Sequence, residues 1–490
     1  MEKDPRLRRY HPLLARIVLK TLRIRRKREF GHVSPLAFRY VHSELAPYTS
    51  EAAKLDYMGI VESAISIALN KRKRCSLRAV RLIVAGVLRL VPREVYVQEY
   101  GKKRRIKGTK HDVRALVVQI MKHIPEWVWR YLHEFATSCD IIDNANIARI
   151  RDVMLDQVIP ILEDVERQFI RLSIEYAHVV CPGRTHLQHA SPVTFGFLFA
   201  VYAERLGEQI RLLKRDIAAL KGKFNGPVGT HGPASLFLRD PRAFERDVLA
   251  CISLKPARCS TQILIPDPLV DVIHRLCVIM SIFGNLGDDM RRLHSTEVGE
   301  IIAELEKGQT GSSIMAAKVN PITWEQAKSL FKEMIPRMIT RYLDLISEHQ
   351  RDLTNSASSR FILEMVELLY TVAKSLRREL PKVKPDTHRM TSNLDMTHGQ
   401  IISDPLVTML LVLGHPNAHT YVKRLAQKSR RTGRRLFELF AHDPSVAKYG
   451  RMLTRRQVAI LSDPSLYVGE APRTAIRVAR YWERRLKLAA

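Results

Sequence analysis

The densest chemistry in this sequence lies in Gly311-Ser-Ser-Ile-Met-Ala-Ala-Lys-Val-Asn-Pro321, preceded by Lys307-Gly-Gln-Thr310. A glycine, two adjacent hydroxyls at Ser312 and Ser313, the cation of Lys318 and the amide of Asn320 fall within ten residues. That set can offer backbone amide donors, a positive charge and a nucleophilic or basic oxygen to one anionic ligand. On composition alone two readings stand: an anion-binding loop, or an ordinary Gly/Ser turn ahead of a helix that begins near Ile322. His186, taken by itself, reads as a structural histidine.

Residues so far apart need a scaffold, and the apolar periodicity supplies one. Ile147, Ile150, Met154, Val158, Ile161, Val165, Phe169 and Leu172 recur every three or four residues, the stripe of one long amphipathic helix. Pro160 is expected to kink this helix rather than end it, because the stripe keeps its register on both sides. After a break at Cys181 to Gly183, a second stripe runs through Leu198, Val201, Leu206, Ile210, Leu213, Ile217 and Leu220. Further helical patterns cover Leu269 to His294, Trp324 to Gln350 and Phe361 to Arg378. No alternating strand pattern and no internal repeat stands out. The expected fold is therefore all-α, a bundle of long helices. Breakers divide it into three parts: 1–135 with a basic extension over about 1–30, a long-helix part 136–380, and a C-terminal part 381–490.

Composition narrows the partners. Lys plus Arg number 80 against 50 Asp plus Glu, a net charge of +30 with pI near 10.1, and such a field attracts anions in general. Nucleic acid, a small multiply anionic substrate, or a surface adaptation without a partner would each account for it. Six cysteines without any Cys-x-x-Cys pair argue for neither a zinc site nor a disulfide framework, and suit a reducing cytosol. No apolar run reads as the roughly 18 to 20 residues that span a bilayer, the best stretches being Phe195 to Val201 and Met409 to Leu413. Residues 1–30, rich in Arg but carrying Glu2, Asp4 and Glu29, read as a basic surface extension rather than a targeting peptide.

The loop at 311–321 resembles the signature of the fumarase, aspartase and argininosuccinate lyase superfamily, Gly-Ser-Ser-x-Met-Pro-x-Lys-x-Asn-Pro, with one fixed position missing. Gly183-Arg-Thr-His-Leu-Gln-His-Ala-Ser-Pro-Val-Thr-Phe-Gly196 is similar to the superfamily's Thr-His segment. Other segments point to one branch, the adenylosuccinate lyases. They are Thr109-Lys-His-Asp-Val-Arg-Ala115, Thr137-Ser138 with Asp140, Lys223-Phe-Asn-Gly-Pro-Val-Gly229, Ser260-Thr-Gln262, Arg351-Asp-Leu-Thr-Asn-Ser356 with Arg360, and Ser34-Pro-Leu-Ala-Phe-Arg-Tyr40. The resemblance covers about residues 30–480.

The resemblance implies a cofactor-free, metal-free elimination of fumarate from succinylated purine nucleotides. Ser312 would be the base for the succinyl Cβ proton, His186 the acid for the departing purine N6, and Glu325 the carboxylate that orients the imidazole. Ser313, Lys318 and Asn320 would hold the carboxylate that gains charge. Lys110, His111, Asp112, Thr137, Ser138, Gln262 and Gln326 would contact substrate. Arg39, Tyr40, Arg351, Ser356 and Arg360 would take the nucleotide phosphate, for which guanidinium forks are well shaped. It also implies a cytoplasmic homotetramer whose active sites draw on three chains.

The sequence departs from that branch in places. Ala316-Ala317 stands where Pro-His is usual, which predicts a more mobile loop and one lost contact. Leu187 stands for a frequent Gly, and Cys139 for a common Glu. Two alternatives follow: another superfamily lyase, acting on argininosuccinate or another fumarate adduct, or a lyase-derived protein that only holds nucleic acid. Retention of His186, Ser312, Lys318, Asn320 and Glu325 together favours an enzyme, with nucleic acid at most a nonspecific side activity.

Overall fold

Capping residues set where the helices begin. The computed structural model describes residues 5–22, 34, 36, 39–102, 106–302, 315, 318–350 and 354–488. Ser50 caps its helix by accepting from the Ala53 N–H, and Thr137 and Asp140 form a reciprocal capping box at another. In chain order the main helices are α1 (Ala15–Thr21), α2 (Glu51–Lys71), α3 (Leu77–Leu88), α4 (Pro92–Tyr100), α5 (Asp112–Met121), α6 (Ser138–Val153) and α7 (Ile159–Glu175). Strands β1 (Val180–Thr185) and β2 (Gln188–Thr194) then form an antiparallel hairpin. There follow α8 (Phe195–Ala219), α9 (Asp267–Leu293), α10 (Ile322–Met334), α11 (Ile362–Glu379), α12 (Ala418–Thr432) and α13 (Ala471–Leu486).

The helical reading holds, with local corrections. A π-turn at Met154–Val158 joins α6 to α7, so the helix continues across Pro160 as its apolar stripe required. The proline lacks the N–H that a regular turn would use, and the wider turn takes up the mismatch. The pattern over Trp324 to Gln350 is two helices, Ile322–Met334 and Arg337–Leu343, separated at Pro336. The break after Cys181 is a hairpin, which the search for alternation passed over because Pro182, Gly183 and Pro192 obscure the period. Among the described residues one helix, Asp267–Leu293, is by length and composition long and apolar enough to cross a membrane, which corrects the reading that no run was. Its apolar residues, among them Ile273, Leu276, Phe283 and Leu286, are buried within the protein.

The chain divides into two compact units. The first comprises Met1–Ile161, Ile210–Met280 and Lys332–Thr371. Helix α2 is its centre, buried at every residue from Leu55 to Leu69. A helix so enclosed must also pair its charges. Asp56 accepts from Lys20 Nζ at 3.0 Å and from Thr21, and Glu62 accepts from the backbone and ring nitrogens of His133 at 2.9 and 2.8 Å.

Residues 5–22 are not the surface extension that composition suggested for about 1–30, whose remaining residues lie outside the described ones. Tyr10, Leu14, Ile17 and Val18 are buried in this unit. Arg9 bonds both Asp152 and Asp156, and the Tyr10 and Tyr57 hydroxyls both donate to Asp152. Segment 5–22 thus brings the counter-charges for carboxylates sunk in the long helix and in α2. Two of its cations, Arg9 and Lys20, are therefore required by packing, while Arg8 and Arg16 face solvent.

A second buried pair lies where α6 begins. Asp140 and Lys223 are both fully enclosed, and Lys223 Nζ sits 2.5 Å from Asp140 Oδ1. The same carboxylate accepts from the backbone N–H groups of Thr137 at 2.8 Å and of Asn225 and Gly226 at 3.2 Å. Asn144 locks the second chain in place, donating to the Lys223 carbonyl at 2.6 Å and accepting from the Lys223 N–H at 3.0 Å.

The second unit comprises Leu162–Gln209, Ser281–Phe331 and Val372–Ala490. Its C-terminal part has its own core, in which Leu406, Leu410, Val422, Leu425, Leu436 and Phe440 pack together. On α7, Glu166 is fully buried and, among the described residues, neither carboxyl oxygen has a hydrogen-bond partner. Burial, and secondarily the charge of Glu204, push its pKa well above the carboxylate range.

These packed charges yield three expectations. Arg9→Met should lower the unfolding free energy by about 3 kcal/mol, since Asp156 stays buried without its cation; a denaturation midpoint equal to wild type would show the segment to be dispensable. Lys223→Met should cost about 3–5 kcal/mol in the same assay, because Asp140 is then an uncompensated interior charge. Glu166 carries the opposite sign. With its folded pKa above its unfolded value near 4.5, the unfolded chain releases the proton first, so stability falls as pH rises above that value. Glu166→Gln should remove that decline, and parallel Tm-versus-pH curves for the two proteins would contradict it.

Candidate active site

In the first unit, the Asp140–Lys223 pair brings three distant segments to the N-terminus of α6. Thr137 is the N-cap and Ser138 the first helical residue, so the positive end of the helix dipole lies here. Gln262 Nε2 lies 3.4 Å from Thr137 Oγ1, and Asn225 Nδ2 donates to Ser260 Oγ at 2.6 Å. Gly229 is obligatory for this approach. It has a φ of +79°, and a Cβ there would sit 2.0 Å from the Ser260 carbonyl oxygen.

His111 completes the cluster from α5. As N-cap of that helix its Nδ1 accepts from the Arg114 N–H at 3.3 Å, which leaves Nε2 to carry the proton toward Ser138 Oγ at 3.1 Å. The ring is held at two points and half of it faces solvent, ready for a ligand. Asp112 accepts from Lys54 Nζ at 3.3 Å. Asp112 and Arg360 both line a cavity of 260 Å³ whose wall includes Lys54, Arg93, Tyr96 and Tyr100. Ser356 and Arg360 lie on the turn that leads into α11, and Arg39 and Tyr40 on a turn ahead of α2; Lys110, exposed and with a φ of +51°, directly precedes His111.

The second unit carries His186. It and Leu187 form the two-residue tip of the β1–β2 hairpin, between the paired residues Thr185 and Gln188. Their φ angles are +54° and +61°, the left-handed values that a tight hairpin demands and that suit Asn or Gly best. Holding two side-chain-bearing residues there costs on the order of 1–2 kcal/mol each, so the strands must be firmly anchored. Arg184 supplies the anchor through two bonds to the buried Glu300, at 3.0 and 2.5 Å, and Asn393 donates to the same carboxylate at 2.8 Å. Gly183 lets the strands close, since a Cβ there would meet the Ser191 carbonyl oxygen at 2.4 Å. Beside them, burial and then the Arg184 charge lower the pKa of His189, which favours its neutral form.

The hairpin presents His186 to solvent, and Leu187 beside it is 70% exposed. Among the described residues His186 has no hydrogen-bond partner, and none joins it to Glu325. Glu325 is exposed on the first turn of α10, with Gln326 half-buried beside it. Lys318 and Asn320 lie just ahead of that helix, where His294 Nε2 donates to the Val319 carbonyl at 3.0 Å. Ser312, Ser313 and Arg351 lie outside the described residues.

Sequence reasoning passed over Lys54, Arg184, Glu300 and His294, which position the expected site residues. Arg184 had a signal, since it sits inside the Thr-His segment next to an obligatory glycine. Glu300 and His294 had none, because their partners lie 116 and 25 residues away.

Family models match most of the chain: "Lyase" over residues 101–334 and "Adenylosuccinate lyase C-terminal" over 347–454. The adenylosuccinate lyase of Pyrococcus horikoshii is 31% identical over 458 residues, covering 92% of this chain and 98% of that protein. The adenylosuccinate lyase of Methanocaldococcus jannaschii is 29% identical, covering 91% and 96%. Among solved structures, a fumarate lyase from Mesorhizobium sp. BNC1 superposes with a TM-score of 0.78 at 22% identity, over 90% of this chain and 98% of that one. The 3-carboxy-cis,cis-muconate lactonizing enzyme from Pseudomonas putida does so with 0.78 at 22%, over 91% and 98%. Those two likenesses concern the fold. The near-complete coverage by relatives of one activity, together with the motif segments gathered at α6, means that this chain belongs to the adenylosuccinate lyases, enzymes that eliminate fumarate in purine nucleotide biosynthesis.

Proposed function

We propose that the elimination runs by general base and general acid catalysis between Ser312 and His186, with adenylosuccinate going to AMP and fumarate and the succinylated aminoimidazole carboxamide ribotide as a second substrate. Ser312 takes the proton from the succinyl Cβ, the electron pair forms the C=C bond of fumarate, and the C–N bond breaks. His186 donates a proton to the departing N6. A serine hydroxyl is a weak base in water, so Ser313, Lys318 and Asn320 surround the reacting carboxylate with donors and positive charge that lower the cost of the alkoxide.

The observation that carries this reading is the cluster of His111, Thr137, Ser138 and Gln262 at the N-terminus of a 16-residue helix. Helix-terminal N–H groups and hydroxyls suit the succinyl carboxylates. Arg39, Tyr40, Arg351, Ser356 and Arg360 take the phosphate, with Arg360 beside the cavity lined by Asp112. His186 and Glu325 are both exposed and unjoined within one chain, which favours a site completed by other copies. We therefore place the reaction in a cytoplasmic homotetramer with shared active sites, built from an N-terminal part to about 135, a long-helix part to about 380 and a C-terminal part.

The test is fumarate release from adenylosuccinate by wild type, His186→Ala and Ser312→Ala. General acid or base catalysis contributes about 10²–10⁴-fold, so each variant should lose at least that much in kcat. Equal turnover by all three proteins would remove the assigned acid and base. Turnover of argininosuccinate alone would place the chain's chemistry in another branch.

A further inference from the structure

The positive charge is concentrated beyond anything the purine site uses. From Lys423 to Arg435 the chain holds seven cations and no carboxylate: Lys423, Arg424, Lys428, Arg430 and Arg431 on α12, with Arg434 and Arg435 just past its end. At 3.6 residues per turn the five on the helix occupy one arc of about 160°, and all five are exposed. The opposite face, Ala418, Val422, Leu425 and Ser429, is buried in the C-terminal core. Neutralisation is sparse. Among the described residues Arg435 pairs with Asp395 at 2.9 Å, and Arg430 meets the Gln400 amide oxygen at 3.2 Å. Asp443 is stabilised chiefly by Ser445 and only lastly by the charge of Lys428. Interaction with the helix C-terminus accounts for Arg430 and Arg431 but fades within the last turn, and so leaves Lys423 and Arg424 unexplained.

We propose that this face of α12 binds the phosphodiester backbone of nucleic acid. Like charges spaced i, i+4, as at Arg424 and Lys428, repel and destabilise a bare helix; a row of phosphates removes that repulsion. From Lys423 to Arg431 the helix rises about 12 Å, and one strand of a duplex advances about 3.4 Å along its axis per phosphate, so a helix lying along that axis spans about four of them. A membrane surface is the poorer fit. An interfacial helix must bury an apolar face in lipid, and here that face is already committed to the protein core. The contacts are to backbone charge alone, so binding is sequence-independent and steeply salt-dependent.

The experiment is fluorescence anisotropy of the full chain with a labelled 20-base-pair DNA duplex and a labelled 20-nucleotide RNA, between 50 and 300 mM KCl. Wild type should bind both, with log K falling against log salt at a slope of about −3 or steeper. Combined Lys423→Gln, Arg424→Gln, Lys428→Gln and Arg431→Gln should weaken binding at least about 10-fold at 100 mM KCl and flatten the slope by about 3, in line with four lost phosphate contacts. Fumarate release should be unchanged. The two double variants, K423Q/R424Q and K428Q/R431Q, should each show about half of the slope change, and they decide the matter if the fourfold variant misfolds. Unchanged affinity and slope in the variants would place any binding elsewhere and overturn the proposal. So would absence of salt-dependent binding by wild type, tighter binding to phosphatidylserine vesicles than to nucleic acid, or equal competition by polyglutamate.

Discussion

A carboxylate with no access to water must be surrounded by donors, and at Asp140 that requirement organises the candidate site of the first unit. One oxygen meets the Lys223 ammonium, and the remaining capacity is filled by the N–H groups of Thr137, Asn225 and Gly226. None of these partners can move away without stranding a buried charge. Two chain segments more than 80 residues apart are therefore held in one geometry. Ser260 and Gln262 join through the Asn225 amide and Thr137, and Ser138 reaches the His111 ring. The groups suited to bind a dicarboxylate are thus set before any ligand arrives. Such preorganisation matters in an elimination, where charge builds on a carboxylate during the reaction and donors that had to reorient would raise the barrier.

His186 illustrates the opposite arrangement, a side chain carried on a strained and exposed tip. The left-handed φ values at His186 and Leu187 persist because the strands are clamped at Arg184, Glu300 and Asn393. With Gly common at the second position in related enzymes, Leu187 represents a choice of side chain over relaxed backbone. An apolar residue 70% exposed beside the proposed acid suits a tip that is covered on assembly.

The net charge of +30 is best understood as parts with different roles. Near the N-terminus, Arg9 and Lys20 answer carboxylates that the core has swallowed, so their charge is balanced locally. Around the site, Arg360 and Lys54 line a cavity with Asp112 among its walls. On α12 the cations stand almost without carboxylates and project outward. Only such unbalanced cations create a field beyond the surface.

The sequence by itself determined the long helices and the identity of the chemistry. Apolar residues every three or four positions leave the chain one way to bury them, and the two signature segments, at 183–196 and 311–321, point to the lyase family. It was silent about the hairpin, because prolines and glycines within it hide the alternation, and about Glu300 and His294, whose partners are distant in the chain. It misled about residues 5–22. Composition records that Arg9 and Lys20 are charged, but only the tertiary structure decides that Asp152 and Asp56 are buried and await them. Local pattern is written in neighbouring residues, whereas the pairing of interior charges depends on which distant segments the fold brings within 3 Å, and no spacing along the chain encodes that distance.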